Sequence, residues 1–270
     1  MKKKTYAVLL AAGEGKRMES NLPKVAHFLK DKTLLEWCFD SLFQTNVDNI
    51  LCVISPTHDV VKKIISDYNH DHHKNIQFCF QDPPLGTGHA VLCAFEFMKT
   101  KKELFFPINN LENELTQKQN TNILISYGDT PGIQSQTYNN FIHFHEQGHN
   151  HFSILSFLAK NPFGYGRILM DNKNHFVGIR EEKDCNTEEK KIQICNSGIL
   201  MGHYSCFEEI LPSLKNKNAQ QEYYLTDVPM IAVKKKNQKV SVLLHQNENE
   251  LLGINTKDQL QAMENFLSSQ

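Results

Sequence analysis

The chain has 270 residues, 40% of them hydrophobic and 22% charged, with a formal net charge of −1, which makes room for one large α/β domain or two small ones of ordinary globular composition. So balanced a charge excludes a global field that would draw the chain to nucleic acid or to a membrane surface, and phosphate binding has to come from a few placed cations. Nor does any apolar run reach the ~20 residues of a membrane span.

The chain opens with "MKKKTYAVLLAAGEGK", a basic end followed by a short apolar run. A secretory signal needs a longer apolar core and a small-residue cleavage site, and here Glu14, Lys16 and Arg17 interrupt almost at once. The seven cysteines are scattered, form no C-x-x-C pair and often sit in apolar runs such as "ILCVI". Reduced thiols in a cytoplasmic protein are the expectation.

In chain order, "YAVLL" (6–10) is a short apolar run ending at a glycine turn and predicts a buried strand. "TLLEWCFDSLF" (33–43) carries its apolar residues at helical spacing, "NILCVI" (49–54) predicts a strand, and "HDVVKKIISDY" (58–68) a helix. "IQFCF" (76–80) then predicts a strand, "GHAVLCAFEFM" (88–98) a helix, and "TNILISYGD" (121–129) a strand with an acid at its tip. Strand and helix alternating at this spacing imply parallel strands joined by crossover helices. Ligands of such sheets sit beyond the carboxyl ends of the strands. Gly13, Gly15, Gln81 and Asp129 all follow such ends.

Residues 99–120 break the rhythm and predict a surface insertion with an aromatic patch at Phe105–Phe106. Beyond Phe157, "GYGRILMDNKNHFVGIREEKD" predicts a hairpin turning near Asp171–Lys173, and "CNSGILMGHY" a strand. "QEYYLTDVPMIAVKK" predicts a helix, "KVSVLLHQ" a strand and "TKDQLQAMENFL" a closing helix. No linker and no internal repeat divides the chain. One domain is expected over 1–270, with a first half at 1–150, a second half at 151–254 and a closing helix at 255–270.

The segment "LLAAGEGKRMESNLPK" (9–24) carries the strongest chemistry. Gly13 and Gly15 let the backbone approach phosphates with its N–H groups. Arg17 and Lys24 place two cations near that loop, and Pro23 stiffens the approach to Lys24. Two phosphate-binding motifs fail here. A Walker A loop would need glycine where Leu10 stands and Ser or Thr where Arg17 stands, and a dinucleotide fingerprint would need glycine at Met18.

"LAAGEGKRM…PK" resembles the signature of the sugar nucleotidyltransferases. With "LGTGHA", "YGDTP", "GYGR" and "NSGI" following in order, it is similar, more narrowly, to the uridylyltransferase domain of bacterial N-acetylglucosamine-1-phosphate uridylyltransferases. The resemblance implies a Rossmann-like α/β fold, a mostly parallel central sheet flanked by helices with an added β-rich sugar-binding portion. It further implies transfer of a uridylyl group from UTP to N-acetylglucosamine 1-phosphate, with Mg²⁺. Leu10, Ala11, Ala12 and Gly13 would cradle the nucleotide. Arg17 and Lys24 would hold the triphosphate and act catalytically. Gln81 would meet the uracil edge, with Gly86, Thr87, Tyr127 and Gly128 completing the nucleotide side. Gly166, Glu181 and Asn196 would grip the sugar, and Asp129 and Asn255 would bind the metal.

Each residue also has a plainer reading. Asp129 can end a strand, Asn255 can cap the helix that follows it, and Glu181 lies in the charge run "REEKD". Two departures from the family stand out. Lys16 adds a cation where the family often has a small hydroxyl residue. The chain also stops at Gln270 without the hexapeptide repeats of a left-handed β-helix. Acetyl transfer and a β-helix-based trimer are therefore not expected, and the oligomeric state stays open. Other readings are a relative with a different base or sugar, or a catalytically silent sugar-nucleotide sensor. "HEQGH" (145–149) fits H-E-x-x-H, but Gly148 inside it and the strand pattern after it favour a helix end over a zinc site. "HDHH" (70–73) is expected to be a solvated loop.

Overall fold

The computed structural model describes residues 3–106 and 114–269. The first half is the predicted alternation. Strand β1 (Lys4–Leu10) leads through a two-residue hairpin, β2 (Phe28–Leu29) and β3 (Lys32–Thr33), into α1 (Leu34–Phe43). The start of α1 is fixed by a capping box: the Thr33 hydroxyl accepts from Glu36 N at 3.3 Å, and the Glu36 carboxylate accepts from Thr33 N at 2.7 Å. Next come β4 (Asn49–Ile54), α2 (Asp59–His72), β5 (Gln77–Phe80), α3 (Thr87–Thr100), α4 (Lys102–Phe105), α5 (Glu114–Gln119) and β6 (Thr121–Tyr127). β5, β4, β1 and β6 lie side by side and parallel.

β1 is buried on both faces, and its side chains alternate between two cores. Tyr6, Val8 and Leu10 join one, Ala7 and Leu9 the other. The register sets Leu10 opposite both Val53 and Tyr127. The carboxyl ends of β1, β4 and β6 are therefore level, and the loops after them share one edge.

The second half adds α6 (Ser135–Gln147), β7 (Phe152–Leu158), β8 (Arg167–Met170), β9 (Phe176–Arg180), β10 (Ile194–His203), α7 (Tyr204–Ile210), α8 (Asp227–Lys236), β11 (Val240–His245) and α9 (Lys257–Ser268). Among the described residues the main sheet has nine strands, in the order β11-β7-β10-β6-β1-β4-β5 with the β8–β9 hairpin attached to β10. β10 runs antiparallel to both β6 and β7, and its register slips between Asn196 and Leu200. Gly198 in that slip has φ +87°, and a Cβ there would stand 2.5 Å from the Tyr127 ring.

Several expectations change on contact with the fold. The helix predicted from Gln221 begins only at Asp227. The preceding residues spend their backbone bonds elsewhere: Tyr223 N donates to the Leu85 carbonyl at 2.8 Å, and the Tyr223 carbonyl accepts from Gly88 N at 2.7 Å. His70–His72 form the exposed last turn of α2, which runs four residues past Tyr68, and His73 ends it in the left-handed conformation at φ +51°. The predicted surface aromatic patch is buried. Phe105 and Phe106 lie in the core, and the Tyr6 hydroxyl donates to the Phe105 carbonyl at 2.7 Å. Residues 107–113 of that insertion lie outside the described residues, and its end carries α5. The H-E-x-x-H pattern is not on one helix, because α6 ends at Gln147 and His149 has φ +46°. His145 is instead buried beside the Ser153 hydroxyl at 2.9 Å. All seven cysteines are free thiols. No helix among the described residues is long and apolar enough to cross a membrane.

Candidate active site

The loop after β1 forms one wall of a cleft of about 470 Å³ that opens at the level strand ends. Leu10, Ala11, Ala12 and Gly13 line it, together with Gln81, Gly86, Thr87 and Tyr127. The loop is pinned at its root: Ala11 N donates to the Val53 carbonyl at 2.8 Å, and Gly128 N to that of Leu10 at 2.9 Å. The two glycines of the signature differ in kind. A Cβ on Gly13 would meet nothing within 4 Å, so packing does not demand glycine there. What Gly13 leaves is open backbone facing the cleft. Gly15 has φ +69°, and a Cβ there would come 2.5 Å from the Lys24 Cβ. Its bareness is what lets Lys24 pass.

Lys24 opens a single 3₁₀ turn, Lys24–Ala26, after Pro23, and buried Val25 and Ala26 anchor it. Its ammonium pairs with the Asp129 carboxylate and donates to Asn255 Oδ1 at 2.8 Å. Arg17 Nη2 donates to the same oxygen at 2.9 Å. Four predicted residues from three distant segments thus meet at one point. Ile254 N donates to the Asp129 carbonyl at 2.9 Å and ties the last of these segments to the first strand ends. Asn255 does not cap α9. Thr256 does, its hydroxyl accepting from Gln259 N at 3.3 Å, which leaves the Asn255 side chain to face the cations.

This donor set fits a hard divalent cation. One carboxylate and one amide oxygen already converge on a positive group, the lysine ammonium. Such oxygens suit Mg²⁺, which keeps most of its waters and takes one or two protein oxygens plus substrate phosphates. Among the described residues no group of three His, Cys, Asp or Glu side chains is arranged to hold a metal on its own.

The three predicted sugar-side residues also meet. Asn196 N donates to the Gly166 carbonyl at 2.8 Å across β10 and the start of the β8–β9 hairpin. A Cβ on Gly166 would lie 3.0 Å from the Ile179 methyl and 3.4 Å from the Glu181 carboxylate. Glu181 and Glu182 part company. Glu181 accepts from the Thr226 hydroxyl at 2.9 Å, whereas Glu182 pairs with buried Arg167 at 2.6 Å. Burial raises the Glu181 pKa, the Thr226 hydroxyl pulls it back, and the acids Asp184, Asp227 and Glu222 push it up again. Tyr127, on the cleft wall, has its phenol raised by burial and then by Glu181 and Asp129. It stands between the two halves of the site.

Two predicted glycines have structural reasons. Gly128 does not line the cleft, and a Cβ there would press on Leu35 and Val25 side chains at 3.1 Å. Gly86, at φ +102°, would meet Glu222 Cβ and the Tyr223 carbonyl at 2.8 Å. It is bare because the 222–225 strap crosses it. The sequence reading missed this strap, which brings Glu222 to the cleft and Thr226 to Glu181, while Leu225 N donates to the Thr87 hydroxyl at 3.1 Å. The available signal was Pro229, which fits the first turn of a helix far better than its middle. Starting the helix near Asp227 would have freed "EYYLT" as a binding segment.

A family model, that of the MobA-like NTP transferase domain, matches residues 7–221. The chain is similar to the bifunctional protein GlmU of Clostridium kluyveri, 36% identical over 261 residues, or 97% of this chain and 52% of that one. With the same-named protein of Clostridium tetani it shares 37% over 258 residues, 96% of this chain and 51% of that one. For that of Acetivibrio thermocellus the figures are 35% over 254 residues, 94% and 50%. The chain spans about half the length of the curated relatives it matches.

Proposed function

The chain belongs to the MobA-like NTP transferase domain family, and from that premise we propose that it joins UTP to N-acetylglucosamine 1-phosphate, giving UDP-N-acetylglucosamine and pyrophosphate with the help of Mg²⁺. The observation that carries this reading is the meeting of Arg17, Lys24, Asp129 and Asn255 beside the glycine loop. That cluster sets two cations and two metal-suited oxygens beside the glycine loop, which is what transfer between two phosphate anions would require.

The chemistry needs charge placement more than acid–base help. The sugar phosphate is already anionic near neutral pH, so its oxygen forms the new bond to the α-phosphorus with no general base. The bond from that phosphorus to the pyrophosphate oxygen breaks, and pyrophosphate leaves with the electron pair. Lys24 and Arg17 offset repulsion between the two anions and stabilise charge on the transferring group. Asp129 and Asn255 would hold Mg²⁺, which when bound supplies further positive charge to the phosphates. On the sugar side, the Glu181 carboxylate can accept from sugar hydroxyls, and Gly166 leaves room beside it. Gln81 meets the base, and Thr87 and Tyr127 flank the nucleotide. No covalent enzyme intermediate is required.

The test is pyrophosphate release from purified protein, offering each of four nucleoside triphosphates against a panel of sugar 1-phosphates. Release confined to UTP and N-acetylglucosamine 1-phosphate, and abolished by EDTA, is the expected result. Release with another pair would keep the mechanism and overturn the substrate. No release from folded protein would leave a sugar-nucleotide sensor as the better reading.

A further inference from the structure

The base-facing residue, Gln81, is held by two neighbours. Its Nε2 donates to the Gly86 carbonyl at 2.9 Å and contacts His89 Nδ1 at 3.4 Å. The Gly86 carbonyl is an acceptor only, so the atom against it must be the amide's NH₂. Both amide hydrogens are then taken up on the protein side, and Oε1 is the polar atom left for the cleft.

The His89 ring is set in turn. Its Nε2 faces the Cys93 sulfur at 3.8 Å, a contact that either tautomer can make, and it is the amide NH₂ against Nδ1 that calls for a lone pair there. A proton on Nδ1 would point at the amide's own hydrogens. Burial lowers the pKa of the ring, and a hydrogen bond to the Pro83 carbonyl pulls the other way.

We infer that His89 is a positioning residue that, with the Gly86 carbonyl, locks Gln81 as a hydrogen-bond acceptor, so that the cleft selects a base with a ring N–H over one with a ring-nitrogen lone pair. Uracil presents such a donor at N3, whereas cytosine presents a lone pair. The inference rests on the reading that Gln81 meets the base, and it adds why the contact has that polarity. An amide free to turn over would serve either base, and a single mismatched buried polar group is a strong discriminator.

The test compares equilibrium binding of UTP and CTP, by calorimetry at fixed Mg²⁺, to the wild type, His89→Leu and His89→Asn. Leucine fills space without an acceptor, while the asparagine Oδ1 stands where Nδ1 stood. Wild type should prefer UTP. His89→Leu should weaken UTP binding about fivefold, the worth of one hydrogen bond, and shrink the UTP-to-CTP preference by about the same factor. His89→Asn should restore both. In the transfer reaction the leucine variant should raise KM for UTP and leave kcat near its wild-type value. An unchanged preference in His89→Leu would overturn the inference. So would an asparagine variant that behaves worse than leucine, because that order marks a packing role. Equal binding of UTP and CTP by the wild type would instead sink the base-reading role of Gln81, and this inference with it.

Discussion

At the scale of single residues, the site is a case of chemistry fixed by what each side chain can reach. Lys24 reaches Asp129 and Asn255 because Gly15 has no side chain to block it. The pair Lys24→Ala and Asp129→Ala should each lower turnover by about 10²–10³, while circular dichroism and the unfolding midpoint stay near wild type. Near-normal turnover in either would remove the cluster from the mechanism. Most of these residues were legible in the sequence because they fall in the ordered segments that carry the family resemblance, whereas glycine, asparagine and aspartate taken singly are ordinary turn residues. Two were not separable by chemistry alone. Glu181 and Glu182 are adjacent carboxylates, and only the buried Arg167 shows which one is spent on packing. Asn255 and Thr256 are both good helix caps, and only the fold shows that the threonine does the capping.

At the scale of elements, the alternating strands and helices of the first half could be read because their periodicities are strong and their crossovers short. The strap at 222–225 was hidden for the opposite reason. Its form comes from hydrogen bonds to Leu85 and Gly88, more than a hundred residues away, and no local pattern encodes them. The insertion after α3 was misread in part because polar flanks conceal an anchor. Phe105 is fully buried and packs edge-to-face on Tyr6 at a centroid distance of 5.4 Å. Phe105→Ala should therefore cost about 3–5 kcal/mol, as for other large core truncations. A urea unfolding curve would show it, and a loss under 1 kcal/mol would mean that the insertion is not anchored there.

At the scale of the whole molecule, stability should depend on pH through a buried polar cluster at the amino-terminal end of β6, far from the cleft. His145 is fully buried. Burial first, then the neighbouring His203, Lys3 and His151, lower its pKa to about 3; His203 is lowered to about 4. The unfolded chain takes up these protons near the ordinary histidine pKa and the folded one does not. Stability from this source is therefore complete above about pH 6.5 and is lost as pH falls toward the folded values. His145→Phe removes one such group, so the fall in unfolding free energy between pH 7 and 5 should be about 2 kcal/mol smaller in the variant. Glu181 and Asp227, whose pKa values burial raises, act in the opposite sense. The informative quantity is thus the difference between wild type and variant. Equal pH profiles would mean that His145 is not a source of the dependence.

The shared attachment of Lys24 to Asp129 and Asn255 carries a consequence for the order in which ligands arrive. The oxygens suited to a divalent ion already have an internal tenant, so an ion coming alone must evict a tethered ammonium that never diffuses away. A triphosphate changes that contest by offering the lysine a better counter-charge and freeing both oxygens together. Metal and nucleotide should therefore reinforce each other's binding by the same factor. Titrating Mg²⁺ calorimetrically should show weak uptake by the protein alone and markedly tighter uptake with UTP than UTP itself provides in solution. In Lys24→Ala, with the tenant gone, the protein alone should bind the ion more tightly than wild type. Equal affinities in the two would show that the lysine is no competitor.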